Sequence, residues 1–147
     1  MIVAFCGHKN YYGASPDDKL RIKEIFEKEL SGQVDFYFGG YCSFENLAFK
    51  CAREYQETHP DAKLIFITPY LGPHYSRLET AKERYDEIIY PPLETVPKRL
   101  AILRRNDWIV KQSDIVIGHI TRTMGNAFNM FEYAKKQKKK VFNIAKK

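Results

Sequence analysis

Six of the eight glycines in this chain lie in four short segments that each directly follow an apolar run. The four segments span residues 7–13, 39–42, 68–72 and 121–125. Glycine lets the backbone approach a ligand closely, and a helix that begins after such a segment offers free N–H groups and a partial positive charge to an anion. We therefore expect a phosphate-bearing ligand to bind where these segments meet.

Polar and aromatic side chains in or beside these segments are the candidate contacts. Glu45, in the first turn of the helix after Gly39 and Gly40, could hold a ribose hydroxyl or could be only an acid matched to the helix dipole. Arg122 suits a phosphate better than it suits a core, and one or two of the nearby tyrosines and phenylalanines could stack on a base. The candidate ligand-binding residues are Gly7, His8, Lys9, Gly39, Gly40, Tyr41, Glu45, Asn106, Arg122, Gly125 and Asn126, and the candidate stacking residues are Tyr11, Tyr12, Tyr41, Phe44, Tyr70 and Tyr75.

One predicted helix carries an amide in its apolar stripe. Asn106 lies four residues after Ile102 and three before Ile109, so its side chain must find hydrogen-bond partners or destabilise the fold. Arg105 lies beside it. The pair could form a structural bridge to a loop backbone, or it could reach into the ligand site.

Known cofactor and metal motifs are absent from the sequence. There is neither a dinucleotide-binding fingerprint nor a Gly-Lys-Ser/Thr phosphate loop, and no paired CxxC or HxxxH spacing indicates zinc. We expect no cofactor and no metal. Three cysteines at irregular spacing, and no apolar run near the roughly 20 residues of a membrane span, favour a cytoplasmic protein without membrane contact.

Apolar runs alternate with helical patterns along the chain. The runs at residues 2–6, 34–38, 64–67, 115–120 and 141–144 are mostly continuous, which is typical of strands covered on both faces. Residues 88–90 are a candidate short sixth strand. Helices are predicted to begin at Pro16 and after a Ser43 cap, to span residues 98–111 and 126–137, and to include a charged stretch after residue 76. The pattern predicts one α/β domain over residues 1–147, an open three-layer sandwich with a mainly parallel five-stranded sheet.

The net charge of +6 is concentrated at one end of the chain. Residues 135–147 contain seven lysines and no acid, whereas the rest of the chain carries 17 basic and 18 acidic side chains. A lysine-rich last helical turn is favoured by the helix dipole, so a plain charged surface accounts for the excess. We do not expect nucleic acid to be a partner.

The order of several motifs resembles the SLOG superfamily, and most closely its small YpsA-like bacterial branch of unknown function. The matching residues are Phe5-Cys6-Gly7-His8, Gly39-Gly40, Phe44-Glu45-Asn46-Leu47-Ala48, Arg105-Asn106, Ser113-Asp114 and Gly125-Asn126-Ala127. The resemblance implies a Rossmann-like fold, a nucleotide or nucleotide-derived ligand and, since related members often pair through helices, a homodimer.

The resemblance also implies a possible reaction. The "lonely guy" phosphoribohydrolases of this superfamily cleave the N-glycosidic bond of nucleoside monophosphates with an arginine, which Arg105 matches, and a glutamate. Asn129 stands where that glutamate is expected, and Glu132 is the nearest acid. The leading hypothesis is therefore that a nucleoside monophosphate or an ADP-ribose-like ligand binds, in a sensor, carrier or sequestering protein. Hydrolysis by Arg105 and Glu132 is one alternative, and binding of single-stranded nucleic acid through the lysine-rich end is another.

Overall fold

Six parallel strands form one sheet, with helices packed on both of its faces. The computed structural model describes residues 1–11, 16–40 and 43–145. Across the sheet the strands lie in the order β4-β3-β2-β1-β5-β6. Their bounds are β1 (Ile2–Gly7), β2 (Asp35–Phe38), β3 (Lys63–Ile67), β4 (Glu87–Ile89), β5 (Ile115–His119) and β6 (Lys140–Asn143).

The sheet has one strand more than the five that the sequence predicts. β4 pairs in parallel with β3, with Phe66 opposite Ile88 and Ile67 opposite Ile89. This strand is only three residues long and none of them is fully buried, so its apolar pattern is too short to be decisive in the sequence. The candidate strand at residues 88–90 is thus confirmed, one residue earlier.

Two hydrophobic clusters, one on each face of the sheet, attach the helices. Phe36 and Phe38 face the side covered by α1 and α2, whereas Tyr37 faces the side covered by α4 and α5. This alternation follows from the two-residue period of a strand. The helices are α1 (Pro16–Glu29), α2 (Phe44–Thr58), α3 (Ser76–Arg84), α4 (Ala101–Gln112) and α5 (Asn126–Lys136), and a short 3-10 turn at Lys98–Leu100 leads into α4.

No helix within these ranges combines the length and the apolar character that crossing a bilayer requires.

Ser43 does not cap α2 as the sequence predicts. It occupies the N-cap position, but its side chain makes no capping hydrogen bond and its Oγ instead donates to the carbonyl oxygen of Lys9 at 3.1 Å. The hydroxyl thereby ties the start of α2 to the segment that follows β1.

The strand order reverses between β1 and β5. From β1 the chain proceeds to β2, β3 and β4 on one side, and β5 returns to the other side of β1, where it pairs in parallel from Val3 opposite Ile115 to Gly7 opposite His119. In an open parallel sheet, the loops beyond the carboxyl ends of the strands diverge at such a reversal and leave a crevice between them.

Candidate functional site

A cavity of about 550 Å³ lies at this reversal, and we call it the cleft. Its volume is within the range of small-molecule sites. The walls are formed by the segments that follow β1, β2 and β5 and by one face of α4. The lining residues are Phe5, Cys6, Gly7, His8, Lys9, Asn10, Gly39, Glu45, Ile102, Arg105, Asn106, Ile109, Arg122, Met124, Gly125, Asn126, Ala127 and Met130.

Most of the candidate residues from the sequence meet in this cleft. Ten of them line it: Gly7, His8, Lys9, Gly39, Glu45, Arg105, Asn106, Arg122, Gly125 and Asn126. Gly40 lines an adjoining cavity instead, Tyr41 lies outside the described residues, and Glu132 lies outside the cleft. The functional roles of all these residues remain predictions.

The turn at Gly39 and Gly40 is occupied by a side chain of the protein itself. One carboxylate oxygen of Glu45 accepts hydrogen bonds from Gly39 N at 2.7 Å and from Gly40 N at 3.3 Å, and the side chain is buried. Two adjacent backbone N–H groups are a common anion-binding arrangement. Here the anion is Glu45, so this turn does not offer those two groups to a phosphate.

Arg105 is buried beneath the same turn and is only 1% exposed. Its Nη1 donates to the carbonyl oxygens of Gly39 and Ile67, each at 2.8 Å, and its Nε donates to Asn106 Oδ1 at 3.0 Å. A Cβ atom on Gly39 would lie 2.9 Å from the Arg105 Cζ. The guanidinium therefore joins the ends of β2 and β3 to α4, and glycine is the residue that leaves room for it.

The polar residue within the apolar stripe of α4 is thus Arg105 rather than Asn106. Ala101, Arg105 and Ile109 are buried at four-residue spacing, whereas Asn106 is half-buried and lines the cleft. The prediction that Asn106 is the polar residue of the stripe was therefore wrong by one position. Arginine is normally assigned to the exposed face of a helix, so Arg105 was not expected there.

His8 connects the segments that follow β1 and β5. Its Nε2 accepts hydrogen bonds from the backbone N–H groups of Thr121 and Arg122, both at 3.1 Å. An acceptor nitrogen carries no proton, so His8 is neutral in this arrangement. Desolvation, followed by the charges of Arg122 and His119, lowers the pKa of His8 below its ordinary value. Neutral His8 therefore fixes the backbone of Arg122 at the rim of the cleft.

The N-terminus of α5 opens into the cleft. Gly125 is its N-cap residue, with φ of 96°, and no side chain in the described part of the chain forms a capping hydrogen bond there. The first N–H groups of a helix have no partner within the helix and carry its positive partial charge. Lys9 and Arg122, both exposed, line the same cavity, and within the described ranges neither side chain forms an ion pair. This end of the cleft is suited to an anion.

Burial keeps the thiol of Cys6, in the cleft wall, in its protonated form. Burial, and to a smaller extent the Glu45 carboxylate, raise the pKa of the Cys6 thiol far above neutrality. A protonated thiol is a weak nucleophile and a poor metal ligand. Among the described residues, no group of three or more His, Cys, Asp or Glu side chains could hold a metal ion.

Glu132 lies further along α5 than the cleft. Its carboxylate pairs with Lys135 at 2.9 Å, and 43% of the side chain is exposed. The catalytic role of Glu132 and Arg105 remains a prediction from the resemblance. Hydrolysis would require the Glu132 carboxylate to reach the cleft. It would also require Arg105 to contact the substrate, but here its guanidinium is bonded to the main-chain carbonyl groups of Gly39 and Ile67.

The described aromatic candidates pack within the protein. Phe44 is fully buried, and Tyr11 packs against its ring and donates its hydroxyl to Asp18. Tyr70 and Tyr75 contact each other. None of these four lines the cleft, and Tyr12 and Tyr41 lie outside the described ranges. The cleft also contains the apolar residues Ile102, Met124 and Met130, which were not predicted as site residues. Helix periodicity could have indicated Ile102 and Met130, and Met124 lies in the glycine-containing segment at residues 121–125.

Comparison with known proteins shows the fold. A scan of protein-family models found no match, and a search of curated proteins found no similar sequence. Among solved structures, the chain is similar to DNA processing protein A from Helicobacter pylori, with a TM-score of 0.61 and 17% identity over 97% of this chain. The fold is Rossmann-like. The chain spans 64% of the length of that structure.

The similarity corrects one expectation from the sequence. DNA processing protein A is described as binding single-stranded DNA. The expectation that nucleic acid is not a partner is therefore wrong. That expectation was based only on the location of the lysines in the sequence. Nucleic-acid binding is possible for this fold.

A first prediction concerns Arg105. Replacing it with methionine should lower the free energy of unfolding by about 2–4 kcal/mol, because two buried carbonyl groups lose a charged donor. The matched control is Arg104→Met on the exposed side of the same helix, where only a surface pair with Asp107 is lost; it should change stability by about 0.5 kcal/mol or less. Urea denaturation measures both. Equal effects would contradict the structural role of Arg105.

A second prediction concerns His8 and pH. Because the pKa of His8 is lowered in the folded state, the unfolded chain binds more protons once the pH falls below about 6.5, the ordinary histidine value. The free energy of unfolding should therefore decrease as the pH drops from about 6.5 to the pKa of His8 in the folded state. Above pH 6.5, His8 should make no pH-dependent contribution. Urea denaturation across this range should show a smaller decrease for His8→Gln, which cannot titrate. Identical pH profiles would refute the assignment.

Proposed function

We propose that the cleft binds a nucleotide-type ligand whose phosphate lies at the N-terminus of α5. The observation that carries this proposal is the first turn of an 11-residue helix, which none of the described side chains caps and which opens into a small-molecule-sized cavity beside Lys9 and Arg122. A phosphate is the anion that backbone N–H groups and basic side chains commonly bind together.

The remaining lining residues fit the other parts of a nucleotide. Glu45 and Asn106 offer a carboxylate and an amide, which can bind ribose hydroxyls, and Ile102, Met124 and Met130 offer apolar surface to a base. The resemblance to the SLOG superfamily supports the same ligand class, and we propose that the chain belongs to its small YpsA-like branch, whose function is unknown. The proposal covers binding in a sensor, carrier or sequestering protein and includes no hydrolysis.

A thermal-shift experiment with AMP, dAMP and ADP-ribose tests this proposal. A ligand at 100 times its dissociation constant should add about 2.7 kcal/mol to the free energy of unfolding. The double variant Lys9→Gln with Arg122→Gln should weaken binding by at least about tenfold, since each change removes a charged contact to phosphate. Lys136→Gln with Lys138→Gln removes the same charge at the end of α5 remote from the cleft and should leave affinity unchanged. No shift with any of the three nucleotides would refute the proposal.

Single-stranded DNA is the second candidate ligand. The structural similarity to DNA processing protein A favours it, as does the basic rim of the cleft. The sequence hypothesis used the lysine-rich end instead, but α5 runs away from the cleft. Lys135 and Lys136 lie in its last turn, and Lys140 begins β6 at the amino edge of the sheet, opposite Ile115. Some of these lysines already have partners, since Lys135 pairs with Glu132 and Lys140 with Glu29.

Salt titration can show whether DNA binds at the rim of the cleft or at the lysine-rich amino edge of the sheet. Fluorescence anisotropy with labelled oligo(dT) should show binding that weakens with salt, with a slope of log K against log salt of about −0.7 per phosphate contact. We expect Lys9→Gln with Arg122→Gln to reduce this slope and Lys136→Gln with Lys138→Gln to preserve it. The reverse result would place the bound DNA at the amino edge of the sheet. Binding that does not depend on salt would rule out single-stranded DNA as the ligand.

A further inference from the structure

A second cavity adjoins the cleft on the far side of the Gly39-Gly40 turn. Its volume is about 570 Å³, and it shares Lys9, Asn10 and Glu45 with the cleft. These three residues therefore form the partition between the two spaces. The rest of its lining comes from Gly40, the start of α2, β3 and one face of α3.

The outer wall of this cavity is one face of α3. Arg77, Thr80, Ala81 and Arg84 recur at the spacing that places residues on one side of a helix, and only Ala81 among them is buried. The two arginines are about 10 Å apart along the helix axis at 1.5 Å per residue. The helical spacing of these residues is visible in the sequence, but the cavity that they line was not predicted from it.

Arg84 is positioned by contacts with Phe49 and Asn46, but one N–H group of its guanidinium has no hydrogen-bond acceptor in the described part of the chain. Its Cζ lies 4.0 Å from the centre of the Phe49 ring, and Nη2 is 3.4 Å from Asn46 Oδ1. The Nε atom is buried and has no hydrogen-bond acceptor within the described part of the chain. A buried donor without an acceptor is destabilising, and an anion that enters the cavity would relieve it.

The charge along both cavities favours an anionic ligand. Five basic side chains line the two spaces, namely Lys9, Arg77, Arg84, Arg105 and Arg122, and Glu45 is the single acid among the described lining residues. Because Glu45 is bonded to the backbone of the turn, its charge is partly satisfied there. An arginine fork is well matched to phosphate oxygens.

Resting on the proposed function, we propose that this second cavity is a subsite for a second phosphate-bearing unit of the same ligand. The ligand class is then two phosphodiester-linked nucleotides, one at the N-terminus of α5 and the other against Arg84 and Arg77, with the linkage passing over Lys9. Both a free dinucleotide and two consecutive units of a longer strand have this chemistry.

Isothermal titration with AMP and with the linear dinucleotide pApA tests the subsite. The unmodified protein should bind pApA at least tenfold more tightly than AMP. Arg84→Gln should remove most of this gain and leave the AMP affinity within twofold. Arg77→Gln, at an exposed position, should reduce the gain independently in case the loss of Arg84 disturbs packing on Phe49. Lys82→Gln is the matched control, because Lys82 lies on the same helix but pairs with Glu79 outside the cavity.

The outcomes separate the two proposals. Binding of AMP without a gain for pApA, or a gain that both arginine variants preserve, would refute the second subsite alone. No binding of either compound would refute the cleft as well. A further series of oligo(dT) from two to ten nucleotides identifies the source: affinity that is constant with length supports a free dinucleotide, and affinity that increases with length supports a strand.

Discussion

The carboxyl edge of the sheet depends on the buried guanidinium of Arg105. Strand ends expose carbonyl groups, and burying them without donors costs about 1–3 kcal/mol each. Arg105 supplies donors to Gly39 and Ile67 at once, from a helix more than 30 residues further along the chain. It thereby determines where β2 and β3 end relative to α4, and the cleft wall has its shape as a result. Gly39 is explained by the space this side chain occupies, without reference to a ligand.

The loops around the cleft use much of their hydrogen-bonding capacity internally. Glu45 accepts from the turn after β2, and His8 accepts from the backbone after β5. These contacts join the segments around the rim to one another, and preorganisation of this kind reduces the entropy that is lost when a ligand binds. Among the residues that the structure describes, no side chain caps the first turn of α5. The proposed anion site therefore lies at that end of the cleft.

The sequence was sufficient for the architecture because continuous apolar runs and helix signals are local. It was also sufficient to predict that ten candidate residues lie at the carboxyl edge of the sheet, since the carboxyl ends of parallel strands share that edge. It was insufficient wherever a side chain reaches a distant backbone group. The hydroxyl of Ser43 bonds to Lys9 rather than capping α2, and the carboxylate of Glu45 fills the glycine turn. Such contacts depend on tertiary distances, which residue spacing does not contain.

The parallel pairing of β1 with β5 has a consequence for how the chain folds. Ile2 N donates to Asp114 Oδ2 across a separation of 112 residues, and the two strands beside that contact, β1 and β5, are interior strands of the sheet. Contacts this distant in sequence close late, because the loop entropy must be lost before they become favourable. The crevice between β1 and β5 therefore requires both strands, and a chain that ends before residue 115 cannot form it. We expect ligand affinity to appear during refolding only once β5 has paired with β1.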